Sequence, residues 1–251
     1  MNAPALETRT LVCRFGGLTA TDNVSLKLEA GARHALIGPN GAGKTTLVNL
    51  LTGMLKPTSG QVLLEGEDVT ALSANKRVRR GLSRTFQINQ LFPEMTPAES
   101  LCLAVGERMD KGGNWREVAG ADSAIVAEVE DILARFDLLG VMDQPTRHLA
   151  YGKQRLLEIA LALARRPRVL LLDEPAAGVP ESERANILAA LAALPEDVTI
   201  LLIEHDMDLV FRFAERISVL VMGRLLIEGS PAEIAADQRV REVYLGADAD
   251  G

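Results

Sequence analysis

Gly38-Pro39-Asn40-Gly41-Ala42-Gly43-Lys44-Thr45 is the stretch on which the reading of this chain turns. It follows a brief apolar run, His34-Ala-Leu-Ile37, and precedes Lys44 to Leu55, a helix pattern closed by Lys56-Pro57. Three glycines and a proline cannot sit inside a strand or a helix, so the predicted order is strand, glycine loop, helix. The eight positions fit G-x-x-x-x-G-K-[ST], and both flanks are those that a phosphate-binding loop requires. Glycines let successive backbone N–H groups converge on an anion, and the helix dipole places partial positive charge at its N-terminus. Lys44 would neutralise terminal phosphate oxygens and Thr45, with Thr46 beside it in the first turn, would offer a hydroxyl to Mg²⁺. An ordinary glycine-rich turn would need neither the flanks nor the lysine.

Outward from the loop, Val169-Leu-Leu-Leu172 reads as a strand buried on both faces of a parallel sheet. It ends in Asp173-Glu174, two adjacent carboxylates at the edge where open α/β sheets bind ligands. Beside a phosphate loop, Asp173 would hold Mg²⁺ and Glu174 would orient and polarise an attacking water. Thr85-Phe86-Gln87 and Ile203-Glu204-His205-Asp206 also follow short β-like runs. Gln87 would then touch Mg²⁺ or the water, and His205 the terminal phosphate; read alone, each is an ordinary loop residue. Leu149-Ala150-Tyr151-Gly152-Lys153-Gln154 opens a further helix with small residues that leave backbone N–H groups free, a second anion-binding end. With one phosphate already cradled at Gly38 to Thr45, this second end predicts either another nucleotide or a nucleotide shared with a second chain, and a shared site predicts a dimer.

The remaining pattern fills in the frame. Glu7 to Arg14 and Asn23 to Glu29 read as short strands, the second alternating Val24, Leu26 and Leu28 with polar neighbours, and more short strands lie between Gln61 and Val69. From Pro97 to Phe136 the period turns helical, with Ile125, Val129, Ile132, Leu133 and Phe136 on one face, while Glu107 to Gly120 reads as an exposed excursion. Gln154 to Arg165 is helical, Val198 to Ile203 is a second buried strand, Ile217 to Met222 and Arg224 to Glu228 form a hairpin about Gly223, and Ala232 to Leu245 forms a terminal helix.

With 27 basic against 34 acidic residues in 251, the net charge of −7 argues against electrostatic binding of nucleic acid. Uncharged stretches such as Thr45 to Leu55 fall far short of the roughly 18 apolar residues that cross a bilayer. Cys13 and Cys102 form no metal or redox spacing, and MNAPALETRT is not a basic start followed by an apolar run, so a reducing, intracellular setting is expected.

The phosphate loop, Gln87, Leu149 to Lys153, Asp173-Glu174 and His205, in this order, resemble the nucleotide-binding subunit of an ATP-binding cassette (ABC) transporter, a likeness running from Glu7 to Leu245. Arg14-Phe-Gly-Gly-Leu-Thr-Ala, Arg84-Thr-Phe-Gln87, Leu149-Ala-Tyr-Gly, Glu174-Pro-Ala-Ala-Gly178, Ile203-Glu-His-Asp-Met207 and Tyr244-Leu-Gly246 resemble the ATPase subunit of branched-chain amino acid importers. The resemblance implies an α/β phosphate-loop NTPase fold with a RecA-like core, an antiparallel β subdomain and a helical signature subdomain. Residues 1–87 and 151–230 would form the core with its β subdomain, about 88–150 the helical subdomain, and 231–251 a tail.

The same resemblance implies a sandwich dimer, either a homodimer or a pair with a paralogous ATPase, with each ATP between one chain's loop and the other's signature segment. Phe15 matches the aromatic that stacks on adenine, the alternative being packing in the β region. Gln87 would report nucleotide state to transmembrane permease subunits; Leu91 and Phe92 would either contact them or pack locally. The chain would sit peripherally on the cytoplasmic face of the inner membrane and power uptake of branched-chain amino acids or a related amide-like solute, delivered by a solute-binding protein.

Two departures bear on this. Ala150 removes the usual signature serine and Lys153 replaces glutamine, so the signature would work through backbone N–H groups near Gly152 and the charge of Lys153. Pro180 stands where many members carry an aspartate that links the two sites. An exporter ATPase and a non-transport ABC ATPase remain as alternatives. A GTPase would need Asn-Lys-x-Asp, and Asn75-Lys76 continues as Arg77-Val78. A small-molecule kinase would need an acceptor site, for which no segment speaks.

Overall fold

The computed structural model describes residues 3–85, 91–110 and 122–247, and they divide into two compact units. The first comprises the described residues within 1–84, 168–174 and 195–251, and the second those within 85–167 and 175–194.

The first unit carries two sheets. In the larger, β4 (Arg33–Ile37) lies between β9 (Thr199–Ile203) and β10 (Arg216–Val221), all parallel; β8 (Val169–Asp173) and β7 (Leu82–Arg84) extend the parallel side and β11 (Arg224–Gly229) pairs antiparallel with β10. Ala35 to Ile37, Val169 to Leu172 and Ile200 to Leu202 are fully buried, as the continuous apolar runs require.

The second sheet is antiparallel and joins β1 (Leu6–Phe15) to β2 (Leu18–Val24), β3 (Lys27–Leu28) and β5 (Ser59–Leu64), with β6 (Glu67–Asp68) at its end. The strand expected over Asn23 to Glu29 is thus two. Asn23 takes φ +54°, and the Thr8 hydroxyl donates to the Val24 carbonyl at 3.0 Å and accepts from the Leu26 N–H at 2.9 Å, replacing ladder bonds at the break. Val24, Leu26 and Leu28 are buried as their alternation requires.

Helix α1 (Lys44–Thr52) stops short of the expected Leu55, because Gly53 takes a left-handed conformation and closes the last turn onto Leu50. Helix α2 (Ala74–Val78) brings Arg77 under that end. Its guanidinium, about 1% exposed, donates to the carbonyls of Leu50 (2.7 Å), Leu51 (2.6 Å), Thr70 (3.0 Å) and Leu72 (3.2 Å).

The second unit is helical. Helix α3 (Pro97–Arg108) begins on a capping box between Thr96 and Glu99, and α4 (Ser123–Arg135) buries Ile125, Val129, Ile132 and Leu133, with Phe136 buried just beyond. The excursion expected from Glu107 starts later: Glu107 and Arg108 are still helical, held by Arg165 and Glu128, and residues 111–121 lie outside the described set. Helix α5 (Tyr151–Ala164) packs on α3, α4 and α6 (Glu181–Ala192). The division expected at residue 150 therefore falls elsewhere, with 151–167 and 175–194 in the helical unit, because the apolar face of α5 is covered by these helices.

After α7 (Met207–Phe213), the chain ends in α8 (Pro231–Ala236) and α9 (Gln238–Ala247) rather than one helix. Asp237 is extended and its carboxylate accepts from the Arg239 N–H at 2.8 Å, starting a new turn. Ile234 and Val240 pack with Ala35, Ile37 and Val219, behind the strand that feeds the glycine loop.

Candidate active site

The loop between β4 and α1 is shaped by what surrounds it. A Cβ on Gly38 would meet the carbonyl oxygen of Leu220, and one on Gly43, at φ +100°, the carbonyl oxygen of Ala20. The Gly223 N–H donates to Ala42 at 2.9 Å, so the turn between β10 and β11 braces the loop. Lys44 Nζ donates to the carbonyls of Gly38 (2.6 Å) and Pro39 (3.1 Å), which holds the cation within the loop's own curve. Burial pushes its ammonium pKa down, and the Glu174 and Asp173 carboxylates push it back up. Asn40, Gly41 and Thr45 are exposed, while Thr46 is half-buried.

Two strand ends supply the carboxylates and the histidine. Asp173 closes β8 with only 4% of its side chain exposed, and its Oδ2 receives Arg84 Nη2 at 2.6 Å. Glu174 takes φ +49°, and its N–H donates to the Ile203 carbonyl at 2.8 Å, tying the turn after β8 to the end of β9. His205 follows β9 with its ring largely exposed; Nδ1 lies 3.9 Å from Glu174 Oε1 and 3.8 Å from Glu204 Oε2. Glu204 is buried, and its carboxylate accepts from the His205 N–H at 3.1 Å, fixing the backbone that presents the ring. Phe15, at the end of β1, is half exposed.

In the second unit, Ala150 is the N-cap of α5 and Leu149 is buried before it. The Tyr151 hydroxyl accepts from Arg155 Nη2 at 2.6 Å, with the guanidinium 5.1 Å over its ring. Gly152 lies against the Glu183 carboxylate, beside a cavity of about 220 Å³ that also meets Ala150, Lys153, Leu156 and Asn186. Lys153 Nζ is bound to both the carbonyl and the carboxylate of Asp137 at 2.5 Å, so a local acid already compensates its charge. Phe92 is exposed and Leu91 half-buried; Gln87, with Phe86, lies outside the described residues.

The Thr45 hydroxyl and Asp173 carboxylate are oxygen donors of the kind Mg²⁺ takes, and the buried Asp173 side chain is already held by a cation. Among the described residues no group of three or more His, Cys, Asp or Glu is arranged to hold a metal ion. Arg84, Asn49 and Glu204 also belong to this constellation, although the sequence alone assigns them no role in it. The signal for Glu204 is a charge directly following a short apolar run, whereas Arg84, after Gly81-Leu82-Ser83, carries no such signal.

A glycine loop on a helix N-terminus, an acid pair at the end of β8 and, from the intervening β9, a histidine beside the second acid define an ATP-binding cassette, and the comparisons agree. The ABC transporter family profile matches residues 21–177, and the chain belongs to that family of ATPases. A profile described as branched-chain amino acid ATP-binding cassette transporter matches residues 224–250. The chain is 40% identical to the high-affinity branched-chain amino acid transport ATP-binding protein BraF of Pseudomonas aeruginosa, across 98% of this chain and 99% of that one. It is 41% identical to LivG of Escherichia coli K12, with the same coverage. Among solved structures it is similar to the ATP-binding cassette MJ1267 in its ADP conformation, with a TM-score of 0.81, 32% identity, and coverage of 97% and 99%. Among the described residues no helix is long and apolar enough to cross a membrane.

Proposed function

We propose that this chain binds and hydrolyses ATP to power uptake of branched-chain amino acids, or a related amide-like solute, through separate transmembrane permease subunits. One observation carries the catalytic part. Glu174 and His205, brought from the ends of two neighbouring strands, meet at 3.9 Å, and the Glu174 and Asp173 carboxylates act electrostatically on the Lys44 ammonium in the glycine loop. The substrate class, branched-chain amino acids, follows that named for BraF and LivG, to which the chain is similar over nearly its full length.

In this reading the backbone N–H groups of the Gly38 to Thr46 stretch, of which Pro39 has none, and the Lys44 ammonium hold the β- and γ-phosphates. Phe15 stacks on adenine. Thr45, Asp173 and Gln87 hold Mg²⁺, which when bound neutralises charge on the phosphate oxygens. Glu174 orients the attacking water and accepts its proton, and His205 donates to a γ-phosphate oxygen. Leu149 to Lys153 of a second such subunit, identical or paralogous, closes over the same nucleotide with backbone N–H groups at Ala150, Tyr151 and Gly152. Shifting an open-to-closed equilibrium from 1:99 to 99:1 needs about 5.5 kcal/mol of preference, which a nucleotide touching both halves supplies and hydrolysis removes. The permease partners place the chain on the cytoplasmic membrane face.

Glu174→Gln in the assembled complex tests this: ATP binding persists, turnover stops and the closed dimer accumulates. Wild-type turnover refutes the catalytic assignment. Purification from native membranes should recover permease chains, and recovery with ribosomes or DNA instead refutes the transport role.

A further inference from the structure

Arg84 ends β7 at the edge of the parallel sheet, in register with Leu171 of β8. Its side chain is 10% exposed. Nη2 donates to Asp173 Oδ2 at 2.6 Å and Nη1 to Asn49 Oδ1 at 2.7 Å, so one planar cation spans the end of β8 and the middle of α1. Asn49 lies one helical turn beyond Thr45 on α1, and Asp173 closes β8. The two ends of the bridge are thus the two elements that carry the oxygen donors assigned above to Mg²⁺.

A buried ion pair is a poor source of stability, because desolvating both charges offsets most of their attraction. This placement therefore calls for another reason. A guanidinium can hold two acceptors at fixed separation through its rigid fork, whereas an ammonium on a flexible stem cannot. Groups that hydrogen-bond a metal's ligands fix their orientation, and losing one typically weakens metal binding about 10- to 100-fold.

We infer that Arg84 is a positioning residue: it fixes the Asp173 carboxylate and the spacing between α1 and β8, so that Thr45 and Asp173 present their oxygens ready for Mg²⁺. This rests on the proposed reading of Thr45 and Asp173. It predicts a defect specific to the metal rather than to the nucleotide.

The test is binding of a fluorescent ADP analogue to the full chain, in EDTA and across a Mg²⁺ titration. Arg84→Met should leave affinity in EDTA within about twofold of wild type while raising the Mg²⁺ concentration for half-maximal enhancement about 10- to 100-fold. Arg84→Lys should recover only part of this, because one ammonium cannot make both ends of the bridge. Should Arg84→Met fail to fold, Asn49→Ala keeps the ion pair and removes the contact to α1, and it should raise the Mg²⁺ requirement severalfold. An unchanged or lowered Mg²⁺ requirement in a folded variant overturns the inference, as does an equal loss with and without Mg²⁺. Absence of any Mg²⁺ effect in the wild type would instead overturn the assignment of Thr45 and Asp173, and the positioning role with it.

Discussion

Replacing Arg77 with methionine should destabilise the nucleotide-free protein by about 3 kcal/mol. The guanidinium is almost fully buried and serves four carbonyls, two of them, Leu50 and Leu51, at the open end of the phosphate-loop helix. Leu50 keeps the Gly53 N–H, and each of the other three acceptors left unserved costs about 1–3 kcal/mol, which comes to roughly 6 kcal/mol at the midpoint of that range. Against this stands the cost of burying the charge, which already pushes the Arg77 pKa down, and methionine restores much of the apolar packing. The balance falls at about 3 kcal/mol, close to what removing one partner of a buried charged contact usually costs. For a chain of this size that is a fall in Tm of roughly 6–12 °C, read by calorimetry or by urea unfolding without nucleotide. Arg77→Lys should fall between, since it keeps the charge and reaches fewer carbonyls. A loss below about 1 kcal/mol for Arg77→Met would refute this account and show that Gly53 alone closes the helix.

Two further outcomes follow from the structure. His34 is buried, with Nε2 2.8 Å from the Ser218 hydroxyl, which also donates to Glu228; burial pushes its pKa down to about 4, with Glu228 raising and Arg216 lowering it. Its unfolded value is near 6.5, so the unfolded chain binds the extra proton between those values, and stability present above pH 6.5 should be lost as pH falls towards 4, by up to about 3 kcal/mol. Thermal melts of wild type and His34→Gln at pH 7.5 and 4.5 check this, and equal acid losses in both would refute it. Gly43→Ala combines left-handed strain with a clash against the Ala20 carbonyl, a cost of about 1–3 kcal/mol that should weaken nucleotide binding roughly tenfold or more. Gly17→Ala, where nothing lies within 4 Å, is the control, and titration showing equal affinity in both variants would refute the constraint.

Much of this site was legible because it depends on local backbone chemistry. Gly38 to Thr45 needs its own glycines and helix, and Val169 to Glu174 needs only an apolar run ending in acids; both stand where the sequence put them. What was not legible depends on contacts between distant segments. Arg84 meets Asn49 and Asp173 across 35 and 89 residues of chain, which no periodicity reports. Lys153 reads as a charge available to the signature until Asp137, sixteen residues earlier, is found holding it. The split of the second strand escaped notice because Val24, Leu26 and Leu28 keep their inward alternation while the Thr8 hydroxyl interrupts the ladder. The helical boundary moved for a similar reason: the partners of α5 are α3, α4 and α6, and α6 lies beyond β8 in the chain.

Gly38 and Gly43 of the loop face main chain, and this has a bearing on evolution. What limits Gly38 and Gly43 is a carbonyl of Leu220 and a carbonyl of Ala20, atoms that every amino acid supplies. Inheritance at the two sides of each contact is therefore unequal. Positions 20 and 220 can drift among residues that keep their strands without disturbing the loop, whereas positions 38 and 43 admit almost no change. No compensating substitution elsewhere can make room, because a backbone oxygen cannot be mutated away. Lineages of such chains should accordingly diverge around the loop while Gly38 and Gly43 stay fixed, with no correlated replacement to mark the contacts that fix them.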